Sequence, residues 1–273
     1  MSPAIPGGRD KEMRLNHIEM TQDGYLGTIT LNNPKKHNAL SHALVDEVIA
    51  ALQTLEQAAA RVVILRARPG VKVWSAGHDV GELPEGGRDP LGWDDPLRHL
   101  VRTIETCRMP VIAMIEGGVW GGAVETMLAC DIVIAAPGAT FAVTPARLGV
   151  PYNVSGMMTF MSAASLRVVK ELAFTAAPIS AERAERIGMI NHVVADAELE
   201  DFTRAMATTI ANNAPLSIAV MKEQLRVLAG AKAITPRGFE KVQGLRRIVY
   251  DSHDYHEGIR AFKEKRKPVY LGR

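Results

Sequence analysis

Apolar and polar positions alternate along residues 17–31, HIEMTQDGYLGTITL, in two short runs on either side of Asp23-Gly24. Period-two alternation broken by an Asp-Gly pair predicts a β-hairpin. The period then changes. Over residues 41–56, Leu44, Val45, Val48, Ile49, Leu52 and Leu55 recur at helical spacing behind Ser41, a residue type that caps helix N-termini, and predict an amphipathic helix. RVVILRA (61–67) is a short apolar run of the kind found in strands covered on both faces. A long polar loop over 81–98 leads to a helix near 99–107. PVIAMIEG (110–117) and DIVIAA (131–136) read as two more buried strands, and GGAVETMLAC (121–130) as a helix between them that opens on glycines. From about residue 155 the pattern is helical. Ser180 can cap AERAERIG, whose Gly188 suits a helix end, INHVV (190–194) is a lone strand, and amphipathic helices follow Glu198 and Pro215. Strand-turn-helix units ahead of a helical C-terminal portion place the chain in the α/β class.

Composition narrows the function classes. With 273 residues, 47% of them hydrophobic and 23% charged, the chain has the make-up of an ordinary globular protein. A formal net charge of +2 gives no overall field for nucleic acid or a membrane surface. The two cysteines, Cys107 and Cys130, make no disulfide framework and are expected as buried thiols in a reducing compartment. No apolar run approaches the ~20 residues of a membrane span. Residues 1–14 lack an apolar core and a cleavage pattern, and are expected as a flexible leader rather than a signal peptide. A cytoplasmic location follows as the expectation.

Familiar catalytic signatures are missing from the sequence. There is no GxGxxG and no GxxxxGK[ST] for a nucleotide, and no GxSxG for a nucleophilic serine. The eight histidines are scattered without metal-ligand spacing, so no metal site is expected. What stands out is two glycine-flanked strand ends. WSAGHD (74–79) follows one apolar run, and EGGVWGGAVE (116–125) follows another and opens into a helix. Glycines let a backbone approach a ligand closely, and a helix start offers unpaired N–H groups at its positive end. Two such N–H groups aimed at one oxygen would form an oxyanion hole.

The pair SAGHD and GGVWGGAVE, about 40 residues apart, resembles the two oxyanion segments of the crotonase (enoyl-CoA hydratase/isomerase) superfamily. NPKKHNALS (33–41) is similar to that superfamily's early CoA-contacting segment, and the likeness runs from about residue 15 to the C-terminus. It implies a crotonase-like spiral of ββα turns over 15–205, carrying the acyl-CoA site, and a C-terminal helical trimerisation region over 206–273. It also implies an acyl-CoA substrate held by the backbone N–H groups of His78 and Gly122, so that the His78 imidazole need not act chemically. Lys36 and His37, with Ala39 and Ala76 beside them, are the implied CoA contacts, joined by Thr144 in the pocket and Lys265 in the basic FKEKRKP tail. Lys35 and the rest of the 263–267 cluster would add charge toward the CoA phosphates. No separate cofactor and no nucleic acid partner are implied, and the assembly would be a homotrimer or homohexamer.

One departure sets the expected chemistry. Hydratases of the superfamily use two glutamates. The first is retained as Glu125, but the second aligns with Pro145, which can neither give nor take a proton. Adding water across a double bond needs a positioned acid and base. Loss of carbon dioxide from a malonyl-type thioester needs only a stabilised enolate oxygen, and losing one donor to it costs about 3 kcal/mol. The segments AGHD, ELPEGGRDPL, DDPLR, VWGGA, LGVPYN and FKEKRKP resemble the decarboxylating branch of the superfamily. They imply conversion of methylmalonyl-CoA to propionyl-CoA, with Tyr152 orienting the departing carboxylate and Glu125 either near the acyl group or complementing the helix dipole. A hydration or isomerisation on another acyl-CoA, and a non-catalytic acyl-CoA or RNA binder, stay open as alternatives.

Overall fold

The computed structural model describes residues 11–84, 89–230 and 234–273. Its strands are β1 (Lys11–Arg14), β2 (Ile18–Asp23), β3 (Leu26–Leu31), β4 (Val62–Ala67), β5 (Val73–Ser75), β6 (Val111–Ile115), β7 (Gly118–Trp120), β8 (Ile132–Ala135), β9 (Thr140–Ala142), β10 (Ile179–Ser180) and β11 (His192–Val193). The helices are α1 (His42–Gln57), α2 (Pro96–Thr106), α3 (Gly122–Ala129), α4 (Val154–Ala163), α5 (Leu166–Thr175), α6 (Ala181–Arg186), α7 (Leu199–Ala211), α8 (Pro215–Ala229), α9 (Pro236–Tyr250) and α10 (His253–Lys263).

Two sheets carry the spiral. The larger runs β1-β2-β3-β4-β6-β8-β11 and the smaller β10-β9-β7-β5. β4, β6 and β8 lie parallel in the first, and β5, β7 and β9 lie parallel in the second. Each turn therefore gives one strand to each sheet before a helix closes it: β4, β5 and α2, then β6, β7 and α3, then β8, β9 and α4. That is the expected ββα spiral. The apolar runs are explained by their two faces. Val62, Ile64, Ile112, Met114 and Ile134 pack under α7, while Val63, Leu65, Val111, Ala113, Ile115 and Val133 face the interior of the spiral. With both faces covered these strands read as almost wholly apolar, the exception being Arg66 near the end of β4, whose guanidinium is paired with Glu200 and Glu116.

The hairpin and α1 stand where the pattern puts them. Gly24 takes φ +56 in the turn, and the Ser41 side chain accepts from the Leu44 N–H at the start of α1. Other boundaries shift. Lys11–Arg14, expected as the end of a leader, pair with β2 as an antiparallel edge strand, while residues 1–10 of that leader lie outside the described residues. α2 begins at Pro96, three residues before the expected 99, because Asp95 Oδ1 accepts from the Leu97 and Arg98 N–H groups and proline is suited to a first helical position. The strand expected at 190–194 shrinks to His192–Val193 and joins the large sheet beside β8. The boundary expected between 205 and 206 falls inside α7.

The C-terminal helices do two things. α8 has no buried residue, and Leu216, Val220, Met221, Leu225 and Leu228 along it are exposed. α9 and α10 grip the segment before α2. Asp89 takes two bonds of 2.7 Å from the Arg246 guanidinium and one of 3.0 Å from the Tyr250 hydroxyl, and the Tyr255 hydroxyl donates to Pro84 O at 2.8 Å.

Candidate active site

A cavity of about 770 Å³ opens where β5, β7 and the start of α3 meet. Its form rests on two glycines. Gly77 has φ +83, and a Cβ there would stand 2.4 Å from Trp120 O and 2.7 Å from Gly122 N. Only glycine lets the segment after β5 lie against the N-terminus of α3. On its other side Gly77 O accepts from Leu40 N at 2.8 Å, and Asp79 N donates to Leu40 O at 3.5 Å. Successive backbone groups of an extended segment point to opposite sides, so the His78 N–H between them faces away from Leu40. It faces Gly122, where a Cβ would come within 3.5 Å of His78 N. Gly122 is the first residue of α3, and its N–H is one of the orphan donors of a helix start. Among the described residues neither N–H has an acceptor.

The His78 imidazole is engaged at both nitrogens. Nε2 pairs with Asp95 Oδ2 at 2.7 Å and Nδ1 with Asp79 O at 3.2 Å. Burial alone would lower the pKa of the ring, but the bond to Asp95 and its charge outweigh this and the net shift is upward. A ring tied at both ends is not free to take a proton from a ligand. His78→Ala keeps the backbone N–H and is expected to retain activity within about tenfold. A loss of about 100-fold or more in steady-state kinetics, the scale of a missing general base, would instead give the imidazole a chemical role.

Glu125 and Tyr152 are brought together, though not as the sequence suggested. Glu125 is fully buried on α3 and turns away from the cavity. Oε1 pairs with the Arg98 guanidinium of α2, and Oε2 accepts from the Tyr152 hydroxyl at 2.5 Å. Burial pushes the Glu125 pKa up while Arg98 and Tyr152 restrain the rise. Tyr152 lines the cavity, its ring edge-on to Phe160 at 5.3 Å. Its pKa is driven up by burial and by the charge of Glu125, so the phenol keeps its proton. That single proton is given to Glu125, which the reading of Tyr152 as a carboxylate donor did not foresee.

The remaining candidates divide. Lys36, His37, Ala39, Ala76 and Thr144 all line the cavity, and Ala76 N donates to His37 O at 2.9 Å. Asp79 is the one carboxylate among the described lining residues. Lys36 Nζ at 2.9 Å and the Gly81 N–H hold it, and its pKa falls despite the opposing effect of burial. Pro145 lines the wall where a second acid would stand. Lys265 does not line the cavity, where Phe262 and Arg266 appear instead. Arg266 is bound by Glu257 and Glu264, which balance much of the charge read into the tail. No cluster of three metal-ligating side chains occurs among the described residues, and no described helix is long and apolar enough to cross a membrane.

Arg98 and Asp95 were quoted in DDPLR without a role. A signal was present: Arg98 lies one turn before Val101, within the stripe of Leu97, Val101 and Ile104 that α2 buries. An arginine in a buried stripe requires an anion opposite it.

Comparisons with known proteins show which family the chain resembles. The family model for enoyl-CoA hydratase/isomerase matches residues 21–273. Methylmalonyl-CoA decarboxylase of Escherichia coli (strain K12) is 50% identical over 260 residues, covering 95% of this chain and all of that one. A structure of methylmalonyl-CoA decarboxylase in complex with 2-nitronate-propionyl-CoA matches with a TM-score of 0.94 at 49% identity, over 95% of this chain and all of that one. A second, complexed with 2S-carboxypropyl CoA, matches with the same score and identity over 96% of this chain and all of that one. A spiral of this form, closed around two glycine-built segments and matched along nearly its whole length, belongs to the enoyl-CoA hydratase/isomerase family.

Proposed function

We propose that this protein decarboxylates methylmalonyl-CoA to propionyl-CoA and carbon dioxide. The observation that supports the reading is the close approach of the His78 segment to Gly122, with neither backbone N–H accepted by another described residue, beside a wall in which Pro145 replaces an acid and Asp79 is paired. Such a site can stabilise an oxyanion but has little means of adding water. The thioester oxygen accepts from the two N–H groups. The bond between C2 and the carboxylate breaks, its electron pair forms the enolate, and carbon dioxide leaves. C2 then takes a proton from solvent.

For this the breaking bond must stand perpendicular to the thioester plane. Tyr152 is the cavity-lining donor suited to hold the carboxylate there, exchanging Glu125 for the substrate as acceptor. Both acceptors are carboxylates, so the exchange trades one charge-assisted bond for another. The CoA arm runs along Ala39 and Ala76, with its phosphates toward Lys36, His37 and Arg266. No cofactor beyond the substrate's own CoA is needed.

Incubation with methylmalonyl-CoA, followed by mass spectrometry of the acyl products, is expected to show propionyl-CoA, with crotonyl-CoA left unhydrated. Unchanged methylmalonyl-CoA, or hydration of crotonyl-CoA, would overturn the reading. The exposed apolar residues of α8 are proposed to pack between copies in a trimer or hexamer, which a monomer in sedimentation at micromolar concentration would contradict.

A further inference from the structure

A carboxylate buried as completely as Glu125 must be paired, because leaving one charge of a buried pair without its partner is strongly destabilising. Its two partners differ in kind. The Arg98 guanidinium is a permanent cation whose side chain is only 8% exposed and which reaches no other acceptor among the described residues. The Tyr152 hydroxyl lines the cavity and has one proton, which a substrate carboxylate would compete for. If Tyr152 were the only partner, giving that proton to a substrate would strand Glu125, and two carboxylates would contend for one donor. With Arg98 in place, Glu125 stays compensated whichever acceptor the tyrosine chooses.

We infer that Arg98 is a positioning residue for the reaction: it neutralises Glu125 so that the Tyr152 hydroxyl is released to the substrate carboxylate. The inference rests on the decarboxylase reading above. It assigns Glu125 a role different from an acid or base, that of a resting acceptor that holds the tyrosine in place.

The surroundings of Glu125 are simple enough to test. α2 brings Arg98 and, farther off, the acid Glu105, whose charge opposes ionisation. Tyr152 precedes α4, and Asp95, paired with His78, is near enough to raise the tyrosine pKa as well. β7 and α4, which also pack on α3, contribute no group that titrates. Removing Arg98 would therefore leave burial and Glu105 to drive the Glu125 ionisation further upward.

The experiment compares the wild type with Arg98→Lys, Arg98→Gln and the double variant Arg98→Gln/Glu125→Gln. The wild type is expected to have a flat kcat/KM for methylmalonyl-CoA across the pH range in which it stays folded. In Arg98→Gln a new ionisation appears, above which kcat/KM falls about tenfold per pH unit as the unpaired carboxylate retains the tyrosine proton and repels the substrate. The double variant loses this pH dependence and regains part of the activity, and Arg98→Lys lies between wild type and Arg98→Gln. Affinity for propionyl-CoA, which lacks the carboxylate, stays within about twofold throughout, since a product that does not use the tyrosine proton has no stake in the exchange.

A uniform loss at every pH, a double variant no better than Arg98→Gln, or a parallel collapse of propionyl-CoA affinity would make Arg98 a packing residue only and overturn the inference. Should Arg98→Gln fail to fold, the double variant, which buries no unpaired charge, and Arg98→Lys carry the comparison. A wild type that forms no propionyl-CoA would instead remove the decarboxylase reading itself.

Discussion

Gly77→Ala is expected to lower kcat/KM for methylmalonyl-CoA by about 100-fold or more while leaving a folded protein. The methyl group would start 2.4 Å from Trp120 O and 2.7 Å from Gly122 N, both backbone atoms that cannot rotate aside. The segment after β5 must then lift away from α3, and the two N–H groups lose their common focus. Loss of one oxyanion donor costs on the order of 100- to 1000-fold, and here both are displaced relative to one another. The left-handed conformation adds about 1–2 kcal/mol of instability for a residue with a side chain. Gly24→Ala is the control. It has φ +56 and open space around its Cβ, so it incurs the conformational cost without the clash. The melting temperature of Gly24→Ala should fall by the conformational cost alone and that of Gly77→Ala further, while only Gly77→Ala loses turnover. Equal activity in both would mean that the close approach does not shape the oxyanion site.

Tyr152→Phe should lower kcat by about 10- to 100-fold, because a hydrogen bond to a charged group contributes roughly 1.5–3 kcal/mol. The ring, its edge contact with Phe160 and its close fit against Gly156 survive the change, so pocket shape is held constant. Affinity for propionyl-CoA should remain nearly unchanged. Kinetics equal to wild type would pass the orienting role to another group, and a collapse of product affinity would show that the residue shapes the pocket. The structure adds a second consequence. Phenylalanine also removes a donor from Glu125, so a modest loss of thermal stability should accompany the loss of turnover.

Local patterns made much of the fold legible. The hairpin at Gly24, the cap at Ser41 and the apolar runs that became β4, β6 and β8 are each written within a few neighbouring residues. β5, β7 and β9 are three residues long, one of them beginning on Gly118, and no periodicity can be read from so short a run. Their identity comes from pairing with strands in other turns of the spiral. The same division holds in the site. The glycines around His78 and Gly122 were readable because a glycine at a strand end already signals a positive φ or a close approach, although what Gly77 approaches, Trp120 O and Gly122 N, lies more than 40 residues away. That Glu125 faces Arg98 and Tyr152 rather than a ligand depends on α2, α3 and the segment before α4 meeting in space. Lys265 stands apart from the cavity within one copy of the chain, and counting cations in the tail overlooked Glu264 within it and Glu257 on α10, whose carboxylates bind Arg266.

The grip of α9 and α10 on the segment before α2 has a consequence in the order of synthesis. Leu83 and Leu91 wall the cavity beside Pro84 and Asp89, whose partners lie far along the chain, Arg246 being 157 positions after Asp89. Chains emerge from the ribosome N-terminus first, at about 5–20 residues per second. A nascent chain complete through α3 already contains both backbone donors, yet the groups that hold its wall come later, first Asn153, which donates to Leu91 O at 3.1 Å, and then Arg246, Tyr250 and Tyr255. The wall should therefore reach its full rigidity only late in translation, after residue 255 has cleared the exit tunnel, so that a chain interrupted before α9 carries the backbone donors beside a wall held only in part.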